Sequence, residues 1–394
     1  MRANFLRHVA QTSPAPMGLE IAGGEGVYLI DTSGKRYLDL IAGIGVSALG
    51  HNHPAVVEAV QRQAGTYMHT LVYGEFVLGT QVELATLLCA QLPPSLDNVY
   101  FTNSGTEAVE GAMKLAKRVT GRPEIVAATH AYHGSTQGAA SLMWPKDFTQ
   151  AFHPLLPGIT HITFNDDASL ERITSRTAAV VIETVQAEWG LRKPRPAWIR
   201  ALRQRCGETG TLLVLDEIQA GMGRTGTLFA FEQYGIVPDI LLLAKGFGGG
   251  MPLGAFVAGR ALMQALTADP VLGHITTFGG HPVSCAAGLA SLRYLTDHPG
   301  VIASVPAKEA LFRRLLVHPR IREIRSAGLW MAVELADFDA VRQVIAGCLS
   351  RGLITDWFLF NERSLRIAPP LIITEEEITW ACGVILAALD EGKP

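Results

Sequence analysis

The chain has few cysteines, no charge excess and no long apolar run, and each shortage excludes something. Its five cysteines, Cys89, Cys206, Cys285, Cys348 and Cys382, are scattered through 394 residues with no Cys-x-x-Cys spacing. That argues against a disulfide framework or a thiolate metal site and fits a reducing cytoplasm. Basic residues number 33 and acidic residues 36, a formal net charge of −3. Such a balance offers no electrostatic footprint for nucleic acid or an anionic membrane. Uncharged stretches such as the one from Pro270 to Leu292 are broken by Gly, Pro and His, so none reads as a membrane span. The segment from Met1 to Pro14 sets Arg2 and Arg7 around an apolar patch too short for a signal peptide. Disorder is excluded by an apolar content of 48%. What the chain does have in excess is glycine, 40 residues of 394, against a usual share of about 7%. With proline ordinary, clustered glycines point to backbone that approaches a ligand closely.

Between about residues 50 and 295, short apolar runs alternate with helical patterns. The expected strands are Asn98–Thr102, Glu124–Ala128, His161–Phe164, Ala178–Glu183, Thr211–Asp216, Asp239–Ala244 and Gly254–Ala258. Several are nearly continuous Val, Ile and Leu, as strands buried on both faces should be. Alternation of this kind predicts an α/β fold with a mostly parallel sheet flanked by helices. Pro54 opens one helix, with His51 and His53 placed to cap it, and Thr80 precedes another. After about residue 296 the texture changes to charged helices and short strands such as Leu329–Leu335. Thr374 and Glu377 form a capping box before a final amphipathic helix. The expected division is a large domain over 51–296 and a smaller α+β domain from 1–50 and 297–394.

Three segments carry chemistry. Lys245 ends an apolar run and is followed by Gly246-Phe-Gly-Gly-Gly250. Partial desolvation there lowers an amine's pKa and makes it a competent Schiff-base nucleophile; the alternative is a lysine that snorkels from a strand end. Asp216 closes another apolar strand, where a carboxylate needs a partner: a structural ion pair, a helix cap or a protonated ring nitrogen. Asn103-Ser-Gly-Thr-Glu107 opens a helix after a strand and exposes backbone N–H groups, either as a phosphate seat or as an ordinary N-cap through Ser104. An anion seat, a ring-nitrogen carboxylate and a strand-end lysine together describe a site for pyridoxal phosphate.

The set Asn103-Ser-Gly-Thr-Glu107, Tyr132-His-Gly134, Glu183-x-x-Gln186-x-Glu188, Asp216-Glu-Ile-Gln219, Gly221-Met-Gly-Arg-Thr-Gly226, Lys245-Gly-x-Gly-Gly-Gly250 and Thr277-Phe-Gly-Gly280 resembles the class III aminotransferases, the acetylornithine and ornithine enzymes above all. The likeness implies fold type I and pyridoxal 5′-phosphate as cofactor. It implies that Lys245 holds the cofactor and shuttles the proton, and that Asp216 keeps the pyridine nitrogen protonated. Tyr132 and Ile218 would cover the two ring faces, and Gln219 the ring hydroxyl side. Ser104, Gly105, Thr106 and Glu183 complete the implied cofactor contacts in one subunit. Thr277 would reach the phosphate of the neighbouring subunit, making the enzyme a homodimer with its site at the interface. Glu188 and Arg366 match the family's gated arginine, which takes the carboxylate of glutamate or 2-oxoglutarate.

Four positions depart from the family pattern. Ser135 stands where an arginine usually grips the distal carboxylate, and Arg192 and Arg195 are candidates by position to replace it. Trp189 replaces a glycine and is expected to narrow the pocket. His281 replaces an asparagine, and Thr184 a proline. The implied reaction moves the ω-amino group of an ornithine-like donor, N-acetylornithine foremost, to 2-oxoglutarate, giving an aldehyde and glutamate. Alternatives are another ω-amine or amino acid as donor, or an aminomutase or decarboxylase with the same cofactor. More remote is a nicotinamide-dependent dehydrogenase, because Gly221-Met-Gly-Arg-Thr-Gly226 fits G-x-G-x-x-G; it lacks the strand immediately before and the helix after. His51-x-His53 and His130-x-x-His133 lack the partners of a zinc site, so no metal is expected.

Overall fold

The computed structural model describes residues 1–391. The apolar runs of the first two-thirds assemble into one seven-stranded sheet, ordered Asn98–Thr102, Gly254–Ala258, Ile240–Leu243, Leu212–Asp216, Thr177–Glu183, Glu124–Ala128, Ile159–Ile162. The five strands from Ile240–Leu243 to Ile159–Ile162 pair in parallel; Gly254–Ala258 runs antiparallel to both its neighbours. Side chains alternate across a strand, and both faces of this sheet are covered. Ala179 and Val181 join a core with Ala108, Ala112 and Leu115 of the helix Gly105–Thr120. Val180 and Ile182 join the opposite core with Trp198, Ile199 and Leu202 of the helix Pro196–Thr209. Every residue of Thr177–Glu183 is buried, and this two-sided burial is why the runs read as continuously apolar.

Two expected strands differ in extent by two residues at an end, the others by one at most. The strand predicted at His161–Phe164 lies at Ile159–Ile162, because its register is set by parallel pairing with Ile125–Ala128 and not by its apolar content. The one predicted over Leu329–Leu335 is only Met331–Glu334, since Gly328 reverses the chain in a left-handed conformation just before it. Met331–Glu334 sits in a second sheet, ordered Glu323–Ser326, Met331–Glu334, Asn361–Ile367, Asp356–Phe358. A third sheet joins the chain ends: Ile21–Glu25, Tyr28–Asp31 and Arg36–Asp39 are completed by Leu353–Ile354, parallel to Arg36–Asp39. The final helix, Glu375–Glu391, opens on the expected reciprocal cap: Thr374 N–H donates to Glu377 at 2.9 Å, and Glu377 N–H donates to Thr374 Oγ1 at 3.2 Å.

The histidines before Pro54 do not cap its helix. His51 instead pairs through Nε2 with the buried carboxylate of Asp39 at 3.0 Å. His53 occupies the capping position but makes no side-chain bond to the helix, and packs edge-on against Tyr294.

Candidate active site

Parallel strands bring the residues beyond their carboxyl ends to one rim of the sheet, and the crevice along that rim is where open α/β sheets bind ligands. Here that rim collects Asn103–Thr106 after Asn98–Thr102, Tyr132–Ser135 after Glu124–Ala128, Glu183, Asp216–Gln219, and Lys245 after Ile240–Leu243. They line one cavity of about 530 Å³, which also takes in His133, Gly134, Val185, Ala187 and Gly250–Leu253. Of the residues singled out from the sequence, Ser104, Gly105, Thr106, Tyr132, Ser135, Glu183, Asp216, Ile218, Gln219 and Lys245 therefore share this space. Glu188, Trp189, Thr277, Arg366, Arg192 and Arg195 are outside its lining.

One wall of the cavity is a helix start. Ser104 Oγ accepts the Glu107 N–H at 3.3 Å, and Glu107 reaches back to the Asn103 N–H at 2.7 Å. This caps the helix while its first turn, Gly105 and Thr106, borders the cavity. Gly105 leaves room for Ile218 to pack close: a Cβ there would lie 2.7 Å from Ile218 Cδ1 and make that side chain shift. Gly134 has φ +126°, and a Cβ on it would fall 2.4 Å from Thr106. Its absence lets Thr106 Oγ1 meet Thr136 Oγ1 at 2.7 Å.

Buried charge is paired at close range. Asp216 Oδ1 accepts the Ile218 N–H at 2.9 Å, and Oδ2 pairs with His133 Nδ1 at 2.7 Å. Burial pushes the His133 imidazole down, but its bond to Asp216 and the fields of Asp216 and Glu183 more than offset this, so its pKa is raised. Glu183 is lifted to about 7 by burial, although it accepts the N–H groups of Tyr132 at 3.1 Å and Ala187 at 2.9 Å. Lys245 has φ +49°, a left-handed conformation that a residue with a Cβ adopts at a cost. Its Nζ donates to Gln219 Oε1 at 2.8 Å, and desolvation lowers its pKa against the opposing pull of Glu188 and Asp216. The amide nitrogen Nε2 of Gln219 is buried and without a partner.

Beside this cavity the structure joins two residues 178 positions apart. Arg366, on Asn361–Ile367, donates to both carboxylate oxygens of Glu188 at 3.2 and 3.1 Å. Both are buried, at 2% and 4% exposure. Asp356 lies 3.0 Å from Arg366 Nε, the Trp357 carbonyl accepts at 2.8 Å, and the guanidinium sits 4.5 Å from the Phe358 ring centre. The fields of Glu188 and Asp356 raise the Arg366 pKa in spite of its burial, and Asp356 is itself lifted by burial to about 6.

Sequence reasoning missed two participants. His133 drew attention only within Tyr132-His-Gly134 and as part of a histidine pair without zinc partners; its place on Asp216 is a contact between residues 83 positions apart, for which the sequence carries no spacing signal. Glu217, one position past Asp216, is lifted to about 7 by burial while it accepts the Ala230 and Phe231 N–H groups, each at 2.6 Å, and the Thr184 hydroxyl at 2.9 Å. The threonine at 184 thus supplies a bond that proline could not. Trp189 does not narrow the cavity: its ring stacks on His130 at 4.1 Å between centroids and 6° between planes, with Arg192 over it at 5.1 Å. Arg195 is spent on Asp167 at 2.9 Å and the Asn165 carbonyl at 2.7 Å. Thr277 is exposed. The glycine-rich run 221–226 lies in consecutive turns between Asp216 and Phe229, not at a strand-to-helix junction.

Comparison with known proteins agrees with this geometry. The family model for aminotransferase class-III matches residues 9–389. The acetylornithine aminotransferase of Methanopyrus kandleri is 40% identical over 371 residues, covering 93% of each chain. That of Streptomyces coelicolor is 40% identical over 379 residues, covering 95% of this chain and 91% of its own. Among solved structures, an ornithine aminotransferase from Toxoplasma gondii, described with partial occupancy of PLP at its active site, superposes with a TM-score of 0.90 at 31% identity, covering 98% of this chain and 92% of that one. A strand-end lysine and a buried aspartate in one crevice, with a shielded arginine beside it, thus stand in a chain that belongs to the class III aminotransferases.

Proposed function

We propose that this enzyme binds pyridoxal 5′-phosphate and transfers the ω-amino group of an ornithine-like donor, N-acetylornithine first, to 2-oxoglutarate. The residues fit the cofactor on three counts. The helix start at Ser104–Thr106 offers N–H groups and a positive dipole end for a phosphate. The unpartnered Gln219 Nε2 faces no protein acceptor and suits a ring oxygen. Asp216, backed by His133, suits a protonated ring nitrogen. When bound, the cofactor supplies an electron sink for charge that develops at the substrate carbon.

The chain's own residues do the rest. Lys245, with a depressed pKa, presents an amine more readily unprotonated than an exposed lysine, and so serves both as the anchoring nucleophile and as the proton carrier. Gln219 orients it at 2.8 Å. His133, bonded to Asp216 at 2.7 Å and favoured in its charged form, fixes that carboxylate's direction. Tyr132 and Ile218 line the same cavity and would cover the two faces of the ring.

The observation that carries the assignment to transamination is the Glu188–Arg366 pair. A donor that brings no carboxylate to Arg366 meets a neutralised wall; an acceptor with two carboxylates displaces Glu188 and takes the arginine's fork. A decarboxylase or aminomutase has no second substrate that calls for such a gate. Ser135, hydrogen-bonded to Tyr132 at 3.2 Å, provides no charge for the donor's own carboxylate. Of the two arginines weighed for that role, Arg195 is committed elsewhere and Arg192 packs over the Trp189 ring, which keeps other ω-amines open as donors.

The exposed Thr277 and the apolar side chains near it, Val271, Leu272, Ile275 and Phe278, support a homodimer in which Thr277 completes the partner's site. The proposed donor supports a place in arginine biosynthesis, and the scattered, unpaired cysteines support a reducing, cytoplasmic setting. The test is formation of glutamate from N-acetylornithine and 2-oxoglutarate by the purified enzyme. Turnover that survives Lys245→Ala, or release of carbon dioxide in place of glutamate, contradicts the reading.

A further inference from the structure

The turn that carries Glu188 is fastened at every residue. Gln186 and Arg192 exchange both backbone bonds at 2.9 Å, closing the turn. The Glu188 carbonyl accepts the Phe360 N–H at 3.0 Å, and the Gly190 carbonyl accepts from Arg325 Nε at 2.6 Å. The Glu188 carboxylate takes, besides Arg366, the Leu359 N–H at 2.9 Å. With Glu188 4% exposed and Arg366 2%, the carboxylate cannot leave the guanidinium unless what packs around it gives way.

The next residue in the chain is Trp189, packed against His130, from the loop after Glu124–Ala128, and against Arg192, which closes its own turn. His130 lies parallel to one face, with φ +61° and Nδ1 buried without a partner. The Arg192 guanidinium approaches the ring at 5.1 Å, its Nε also buried and unpartnered. Neither atom gains a hydrogen bond from this placement. The stack itself is therefore what holds the three side chains together.

We infer that Trp189 is a positioning residue: clamped by His130 and Arg192, it latches the Glu188 turn in the state that shields Arg366 and so sets the balance between donor and acceptor binding. The inference rests on the gated-arginine reading above. A ligand that needs the open state binds with an affinity reduced by the fraction of enzyme that is open. Weakening the latch raises that fraction, so dicarboxylates bind Arg366 more tightly. An aromatic or cation–π contact of this kind corresponds to about three- to tenfold in such an equilibrium.

The experiment uses the holoenzyme and glutarate, an unreactive dicarboxylate, with binding followed by calorimetry. Trp189→Gly is expected to bind glutarate about three- to tenfold more tightly than wild type, to show a matching fall in KM for 2-oxoglutarate, and to gain nothing in the donor half-reaction. Trp189→Phe, which keeps a ring for His130 and Arg192, restores most of the wild-type affinity. Arg192→Gln removes one side of the clamp on a partly exposed side chain and shifts affinity the same way by less, so the question stays answerable if the glycine variant fails to fold. Glutarate affinity that depends on Arg366 but is unchanged in Trp189→Gly and Arg192→Gln overturns the latch alone. Equal loss in both half-reactions, as from a damaged fold, overturns it too. Affinity indifferent to Arg366→Ala overturns the gate, and the latch with it.

Discussion

Removing the Glu188 side chain separates the structural cost of the gate from its use. In Glu188→Ala, Arg366 loses two N–H···O contacts, at 3.2 and 3.1 Å, and the Leu359 N–H loses its acceptor. Breaking a buried ion pair by deleting one partner typically costs about 3–5 kcal/mol. Here Asp356 at 3.0 Å, the Trp357 carbonyl and the Phe358 ring still hold the guanidinium. The expected loss of unfolding stability therefore sits at the low end, about 3 kcal/mol, read from the urea midpoint at constant slope. The same variant leaves Arg366 open to ligand carboxylates. In single-turnover assays KM for 2-oxoglutarate falls, glutamate becomes a better amino donor, and the preference for N-acetylornithine over glutamate shrinks. Glu188→Gln, which keeps the shape and one acceptor oxygen, falls between. An acceptor KM unchanged in Glu188→Ala, with stability lost as predicted, would show that Arg366 is a structural ion-pair partner and refute the gate.

Neighbouring contacts lead to further outcomes. Arg366→Ala should damage the 2-oxoglutarate half-reaction far more than the donor half-reaction; equal losses count against the assignment. Burial holds the folded Glu217 pKa near 7, above its unfolded value near 4.5, so the folded state retains a proton that the unfolded state releases. Its contribution to stability is present below about pH 4.5 and is lost as pH rises toward 7. Glu217→Gln should therefore gain stability relative to wild type between pH 5 and pH 7.5 in urea titrations, and a constant difference would contradict this. Gly134→Ala forces a Cβ to within 2.4 Å of Thr106 at φ +126° and should weaken cofactor retention, measured as cofactor lost on dialysis; full retention would mean the Gly134–Thr106 contact is slack.

The large sheet was legible because two-sided burial leaves continuous Val, Ile and Leu runs, and its rim because Asp216 and Lys245 end such runs and Asn103–Glu107 opens a helix directly after the strand Asn98–Thr102. Registers were less so: Ile159–Ile162 is placed by pairing, which local composition does not encode. Contacts between distant residues of ordinary type were not legible at all. Nothing near His133 announces Asp216, and nothing near Trp189 announces His130, because a stack of rings leaves no spacing pattern. His51 and His53 misled because helix capping is a local rule, whereas His51 is claimed by Asp39 from the Arg36–Asp39 strand. The resemblance sets Trp189 at the pocket because it stands where the family has a glycine, yet adjacent residues in a closed turn point to different surroundings.

The central claim, a cofactor held by Lys245 and loaded by an ω-amine, is tested most directly by the visible spectrum of the purified protein before and after N-acetylornithine is added without a keto acid. The account predicts a yellow band that bleaches, and that returns on addition of 2-oxoglutarate with release of one glutamate per site. A yellow band that N-acetylornithine leaves unchanged removes that donor. No yellow band, even after incubation with pyridoxal phosphate, contradicts the account as a whole.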